Sequence, residues 1–75
     1  MRNGFAKNAR RARQWDEVDQ VELARRTGLN GKTISDIELG RRRPSLEQAL
    51  AIAKGLGRSL DKLCGYEPEQ KKEEE

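Results

Sequence analysis

Apolar side chains recur every three or four residues along most of this chain, which is the spacing of one face of an α-helix. We therefore predict an all-α fold of five short helices with no strand. The predicted helices span about residues 5–15, 20–27, 31–39, 46–56 and 60–64. The apolar residues expected to face the core are Phe5, Ala9, Ala12, Trp15, Val21, Leu23, Ala24, Leu29, Ile34, Ile37, Leu46, Ala49, Leu50, Ala53, Leu56, Leu60 and Leu63.

Polar and glycine residues at the ends of these stretches support the helix boundaries. Asp19, Asn30 and Ser59 each precede a predicted helix, where a side-chain oxygen can accept from the free N–H groups of the first turn. Residues 45–48, Ser-Leu-Glu-Gln, fit a capping box. Gly28 is expected to end the second helix, because glycine adopts the left-handed conformation at little cost.

Composition limits what such a chain can do. Its 75 residues suffice for one domain with a small core. Cys64 is the only cysteine and there is no histidine, so neither a disulfide within the chain nor an imidazole metal site is available. With no nucleophile–base pair or phosphate loop, we expect no enzymatic activity, no cofactor, no metal and no small-molecule ligand. No membrane span or signal peptide is apparent, which favours a soluble, cytoplasmic protein.

The net charge of +3 conceals two regions of opposite sign. Residues 1–66 carry 14 of the 16 Lys and Arg residues but 8 of the 13 Asp and Glu residues. Residues 67–75 are acidic and lack apolar side chains, so we expect one domain over 1–66 followed by a charged, disordered tail. A basic domain suits a polyanionic partner, although charged surfaces also simply keep small proteins soluble.

The most informative stretch, residues 20–39, predicts two short helices joined by a tight glycine turn. A helix of this size fits the major groove of B-DNA. On a helical wheel, Lys32 and Asp36 lie opposite the inward-facing Ile34 and Ile37. Lys32 can reach a guanine edge or a phosphate, and Asp36 can accept from cytosine N4. The same spacing of four residues equally suits an exposed ion pair.

With these elements in place, the chain resembles the Cro/repressor-type (XRE-like) helix-turn-helix family. The resemblance covers about residues 5–64 and implies a compact five-helix, lambda-repressor-like DNA-binding domain. The matching elements are Gln20-x-x-Leu23-Ala24, Thr27-Gly28-Leu29-Asn30, Thr33-Ile34-Ser35-x-Ile37-Glu38-x-Gly40, Arg41 to Pro44, Leu46 and Leu56-Gly57-x-Ser59-Leu60.

The resemblance implies a sequence-specific transcriptional regulator of double-stranded DNA, a dimeric repressor that reads the major groove with the helix from about Gly31 to Leu39. It also implies that Arg13 pairs with Glu38 and locks the first helix to the third. From the resemblance and the wheel together, the residues expected to contact DNA are Gln20, Asn30, Gly31, Lys32, Thr33, Ser35, Asp36, Arg41, Arg42 and Arg43.

Because one recognition helix has few reading side chains, we expect a homodimer, with Leu60, Leu63 and Tyr66 at its interface. The alternative is an antitoxin or anti-repressor-like protein-interaction module on the same fold. Lys32 and the arginine run argue against that alternative, which would favour an apolar, acidic outer face on the third helix.

Four places depart from the family pattern. Leu39 is apolar where polar residues are frequent, which predicts that it is partly exposed. Gly31 removes one potential base-reading side chain, so base readout rests on fewer residues. Asp16 and Glu17 replace a connection that usually contains glycine. Arg58 occupies a position where an apolar residue is common, which predicts a more solvent-exposed last turn or a protein interface there.

Overall fold

Five α-helices form the part of the chain that this computed structural model describes, residues 4–65. They are α1 (Phe5–Trp15), α2 (Gln20–Thr27), α3 (Gly31–Glu38), α4 (Leu46–Gly55) and α5 (Leu60–Cys64). No strand occurs among the described residues, and the predicted all-α fold class is confirmed. Tyr66 and the predicted tail over 67–75 lie outside the described residues.

The core is built from apolar side chains of all five helices. α2 packs against α3 and α4, α1 packs against α3 and α5, and α4 also contacts α5. Leu23, Ile34, Ile37 and Ile52 are the largest side chains that are almost fully buried. Burying a side chain of this size contributes about 1.5–3 kcal/mol. Because α3 buries both of its isoleucines, its opposite face must point to solvent.

The prediction of core residues is wrong at four apolar positions. Their exposed fractions range from 48% to 82%, and they are Trp15, Val21, Leu46 and Leu50. On α4 the buried face is formed instead by Ala49, Ile52 and Ala53. Val18, in the connection between α1 and α2, is also buried and was not predicted. In short helices several apolar faces are possible, and the neighbouring helices decide which one is covered.

The predicted N-caps are all present. The Asp19 carboxylate accepts from the Glu22 N–H at 2.8 Å, and the Ser59 hydroxyl accepts from the Lys62 N–H at 3.1 Å. In the capping box, Ser45 and Gln48 each accept from the other's backbone N–H. These local contacts satisfy donors that the helix itself leaves free.

The turn that follows α1 contains a left-handed residue that is not glycine. Glu17 has φ of 59°, and the equivalent positions after α3 and α4 are Gly40 and Gly57. The Glu17 N–H donates to the Gln14 carbonyl, and the Val18 N–H donates to the Arg13 carbonyl, each at 3.0 Å. This is the Schellman pattern, in which glycine is the usual left-handed residue. Glu17 therefore carries the steric cost of a Cβ in this conformation.

Replacing Glu17 with glycine is expected to stabilise the fold by about 0.5–1 kcal/mol. Removing the Cβ relieves about 1–2 kcal/mol, part of which is offset by the greater flexibility of glycine in the unfolded chain. The free energy of unfolding from urea denaturation measures the change. Glu17→Ala is the matched control, since it removes the carboxylate but keeps the Cβ. An equal gain in both variants would contradict the backbone explanation.

Arg58, expected in a wet turn or an interface, makes an intramolecular ion pair instead. Its Nη1 donates to Asp16 Oδ2 and to the Leu56 carbonyl, both at 2.8 Å. The hydrogen bond from Arg58 lowers the pKa of Asp16 and raises the pKa of the guanidinium. The pair thus ties the α4–α5 connection to the α1–α2 connection, and both partners are departures from the family pattern.

Candidate nucleic-acid interface

The turn between α2 and α3 is held by short-range hydrogen bonds. The Thr27 hydroxyl donates to the Leu23 carbonyl at 2.9 Å and accepts from the Leu29 N–H at 3.2 Å. Gly28 is left-handed, with φ of 79°. The Asn30 side chain accepts from a first-turn N–H of α3 at 2.8 Å. These bonds fix the angle at which α3 leaves the turn.

The start of α3 is open to solvent at Asn30 and Gly31. A Cβ added at Gly31 would meet nothing within 4 Å, so packing does not require glycine there. The free N–H groups of this first turn form a site that attracts an anion such as a phosphate. The space at Gly31 is therefore open to a larger side chain, which this chain does not supply.

The outward face of α3 carries Lys32 and Asp36, as the helical wheel predicts. Their side chains are 82% and 16% exposed, and Lys32 Nζ lies 3.3 Å from Asp36 Oδ2. Arg41 Nη1 lies 4.0 Å from the other carboxylate oxygen. Thr33 and Ser35 are half-buried beside them. An ion pair between the exposed Lys32 and the largely covered Asp36 is thus formed in the unbound protein, and Asp36 is held between two cations.

The structure brings Arg13 and Glu38 together in a buried, two-pronged ion pair. Arg13 Nε and Nη2 donate to Glu38 Oε2 and Oε1 at 2.7 and 3.0 Å, and the two side chains are 11% and 3% exposed. Arg13 Nη1 also donates to the Val18 carbonyl at 2.8 Å. This bidentate geometry joins α1 to the last turn of α3.

Gln20 joins the same cluster, a contact that the sequence did not reveal. Its Nε2 donates to Glu38 Oε1 at 3.0 Å. The buried carboxylate therefore connects α1, α2 and α3 at once. The DNA contact of Gln20 stays a prediction, with one amide proton already engaged by Glu38.

The basic link, defined as Arg41 to Arg43, follows α3 directly. The N–H groups of Arg41 and Arg42 donate to the Asp36 carbonyl at 2.8 and 3.3 Å, which folds the link back onto the end of α3. All three arginines are exposed. Within residues 4–65, neither Arg42 nor Arg43 has a carboxylate within 4.0 Å. Lys32 and the basic link thus place four cations at the two ends of α3, and the Asp36 carboxylate, which is 16% exposed, lies within 4.0 Å of Lys32 and Arg41.

A second charged cluster lies on α2. Glu22 accepts from Arg25 Nη2 at 2.6 Å and from Arg26 Nε at 3.0 Å. These hydrogen bonds, from Arg25 first, lower the pKa of Glu22 to about 2. Arg26 also donates to the Gly55 carbonyl at 3.0 Å. Arg25 and Arg26 therefore serve intramolecular contacts.

The three residues expected at a subunit interface are placed differently from one another. Leu63 is buried in the core of the single chain, so its side chain has little surface left for a partner. Leu60 is half-buried and packs against the core. Tyr66 lies outside the described residues.

The described part contains no group of side chains suited to a metal ion, and none of its helices is long and apolar enough to cross a bilayer.

The five helices, the fixed turn and the cationic surface define a lambda-repressor-like helix-turn-helix domain. The profile of the helix-turn-helix family matches residues 10–63. The chain therefore belongs to the helix-turn-helix family, and this match supports a DNA-binding transcription regulator.

Solved structures with this fold include two regulators. The restriction-modification controller protein C.AhdI of Aeromonas hydrophila is 28% identical, with a TM-score of 0.77 over 80% of this chain and 91% of that one. The P22 c2 repressor, crystallised with the synthetic operator 9T, is 27% identical, with a TM-score of 0.76 over 84% and 96%.

Two other similar proteins are larger than this chain. The hydroxypropylphosphonic acid epoxidase of S. wedmorenis is 30% identical, with a TM-score of 0.73 over 83% of this chain and 33% of the enzyme. The Replication factor C small subunit of Methanocaldococcus jannaschii is 37% identical over 51 residues, and this chain spans 3% of its length. The fold thus also occurs as a part of larger proteins.

Proposed function

We propose that this protein is a sequence-specific regulator of double-stranded DNA that acts as a homodimeric repressor and reads the major groove with α3. One observation carries the proposal. The face of α3 opposite its two buried isoleucines bears Lys32. The exposed basic link follows the other end of the same helix. The P22 c2 repressor, whose fold is similar, was crystallised on an operator.

In this proposal the two ends of α3 bind the phosphate backbone. Gln20 and the first turn of α3, at Asn30 and Gly31, meet one phosphate region, and Arg41, Arg42 and Arg43 meet another. Such contacts set the register and orientation of the protein on the duplex but carry no sequence information. The side chains of Arg42 and Arg43 have no described intramolecular partner to release first.

Sequence readout then falls to the middle of α3. Lys32 donates to guanine O6 or N7, flanked by Thr33 and Ser35. Asp36 accepts from cytosine N4 once DNA draws Lys32 or Arg41 away from it. Glu38 does not read bases in this scheme, since its carboxylate is engaged by Arg13 and Gln20 and only positions α3.

So few reading side chains specify a short half-site. Two subunits related by a two-fold axis would read two half-sites about 34–36 Å apart, one turn of the double helix. This arrangement multiplies the specificity of a single subunit. It is the reason that we propose a homodimer.

Selection of bound duplexes from a random pool tests the proposal. We expect enrichment of an inverted repeat with one helical turn between half-site centres. Affinity for the enriched duplex should fall linearly on a log–log plot against salt, with a slope near −0.9 per phosphate contact. A pool without enrichment would contradict sequence-specific binding and favour the protein-interaction alternative. A single, unrepeated half-site would contradict the dimer.

A further inference from the structure

A trough of about 540 Å³ lies between the basic link, the start of α1 and α5. Its lining combines apolar surface with two arginines, and includes Ala6, Leu46, Leu60, Cys64, Arg42 and Arg43. Leu46 is 68% exposed, so the trough has an apolar wall that the described residues leave uncovered. The trough therefore joins an apolar surface to part of the proposed phosphate-binding surface.

The chemistry of the lining selects one class of occupant. Arg42 and Arg43 are exposed and have no carboxylate partner among residues 4–65. An occupant that satisfies both parts of the trough carries an apolar or aromatic group next to two negative charges. A segment with one aromatic side chain followed by closely spaced carboxylates meets this requirement.

The chain itself contains such a segment immediately beyond the trough. Cys64 lines the trough, and the sequence continues Gly65-Tyr66-Glu67-Pro68-Glu69. Since a residue spans at most about 3.6 Å, Tyr66 begins within roughly 7 Å of Cys64. A segment tethered so closely has an effective concentration on the order of millimolar. Residues 67–75 also carry 5 Glu against 2 Lys, opposite in sign to the domain.

We propose that residues 66–69 bind in this trough of their own chain and compete with DNA for the basic link. Tyr66 packs on the apolar wall, and Glu67 and Glu69 pair with Arg42 and Arg43. The contact regulates the DNA-binding site and rests on the proposed function of that site. Its ion pairs are exposed and therefore weak, so the tail reduces DNA affinity without abolishing it.

The effect on DNA affinity follows from the fraction of molecules with a free link. If about four-fifths of the molecules hold the tail in the trough, the apparent affinity is about fivefold lower than that of the open form. The same contact weakens as salt rises, because the Debye length falls to about 8 Å at physiological ionic strength.

Two full-length double variants separate docking from a general charge effect. Glu67→Gln with Glu69→Gln removes the charges assigned to the trough, whereas Glu73→Gln with Glu74→Gln removes the same charge farther along the tail. Without DNA, the NMR signals of the Arg42 and Arg43 side chains and of Ala6 should shift in the first variant only. In low salt, the first variant should bind a selected duplex about fivefold more tightly, and the second should match the unchanged protein.

Tyr66→Ala should shift the NMR signals of Ala6 and Leu60 in the same direction as the variant with Glu67→Gln and Glu69→Gln. Identical spectra for both double variants, or equal gains in DNA affinity, would overturn the docking proposal. So would a change in sedimentation coefficient caused by Tyr66→Ala, since that result assigns Tyr66 to a subunit interface. If no variant bound any duplex while the arginine signals still shifted, the proposed DNA-binding function would fail and the docking contact would stand.

Discussion

Reversing the charge at both Lys32 and Arg43 to glutamate is expected to lower affinity for a selected duplex by about a thousandfold or more. A base contact of the type proposed for Lys32 is worth about 1–3 kcal/mol, and each new carboxylate adds repulsion from nearby phosphates. Lys32 has only a weak exposed pair with Asp36 to give up, and Arg43 has no described partner. The loss should therefore appear in binding, with the free energy of unfolding nearly unchanged.

The matched control places the same charge change on other helices. Lys54 and Lys62 are exposed on α4 and α5, and their replacement with glutamate also lowers the net charge by the same amount. Gel retardation at fixed salt compares the two double variants. We expect the control to lose about tenfold or less through long-range electrostatics. Retention of full affinity by the Lys32 and Arg43 variant would rule out this placement of the DNA.

Removing Arg13 is expected to cause the largest loss of stability. Arg13→Met leaves the Glu38 carboxylate buried with Gln20 as its one remaining side-chain donor. Breaking a buried pair in this way costs about 3–5 kcal/mol. Small domains have only about 5–15 kcal/mol in total, so a large fraction of the stability is lost. Guanidinium unfolding followed by far-UV circular dichroism measures the change.

Two further variants identify the cause of that loss. Arg11→Met removes an exposed arginine from the same helix and should change the free energy of unfolding by less than about 0.5 kcal/mol. Arg13→Met combined with Glu38→Leu removes both charges, and should recover much of the stability because no buried charge remains. If Arg13→Met cost no more than Arg11→Met, the ion pair would have no structural role.

Most of the local structure follows from short stretches of sequence. Asp19, Asn30, Ser45 and Ser59 cap the helices that the sequence assigned to them, because a cap involves only the next three residues. Gly28 ends α2 in a left-handed conformation for an equally local reason. The outward position of Lys32 on α3 also follows locally, since two isoleucines three residues apart leave one opposite face.

Other features depend on how several helices and connections pack against one another. Ile52 rather than Leu50 is buried on α4, although both fit an apolar helical stripe, because α4 packs against α2 and α5. Trp15 is exposed even though its spacing fits the stripe of α1. Gln20 bonds to Glu38, which is far away in sequence, and Arg58 reaches Asp16 across two connections.

The sequence by itself determined the number, ends and caps of the helices, the family and the position of the basic link. These features depend on contacts within a few residues or on a motif of fixed spacing. Only the tertiary structure decided which apolar faces are covered, that Glu38 joins three helices, and that a trough connects α5 to Arg42 and Arg43. Those features depend on the angles at which short helices pack, and a periodic pattern of side chains does not specify those angles.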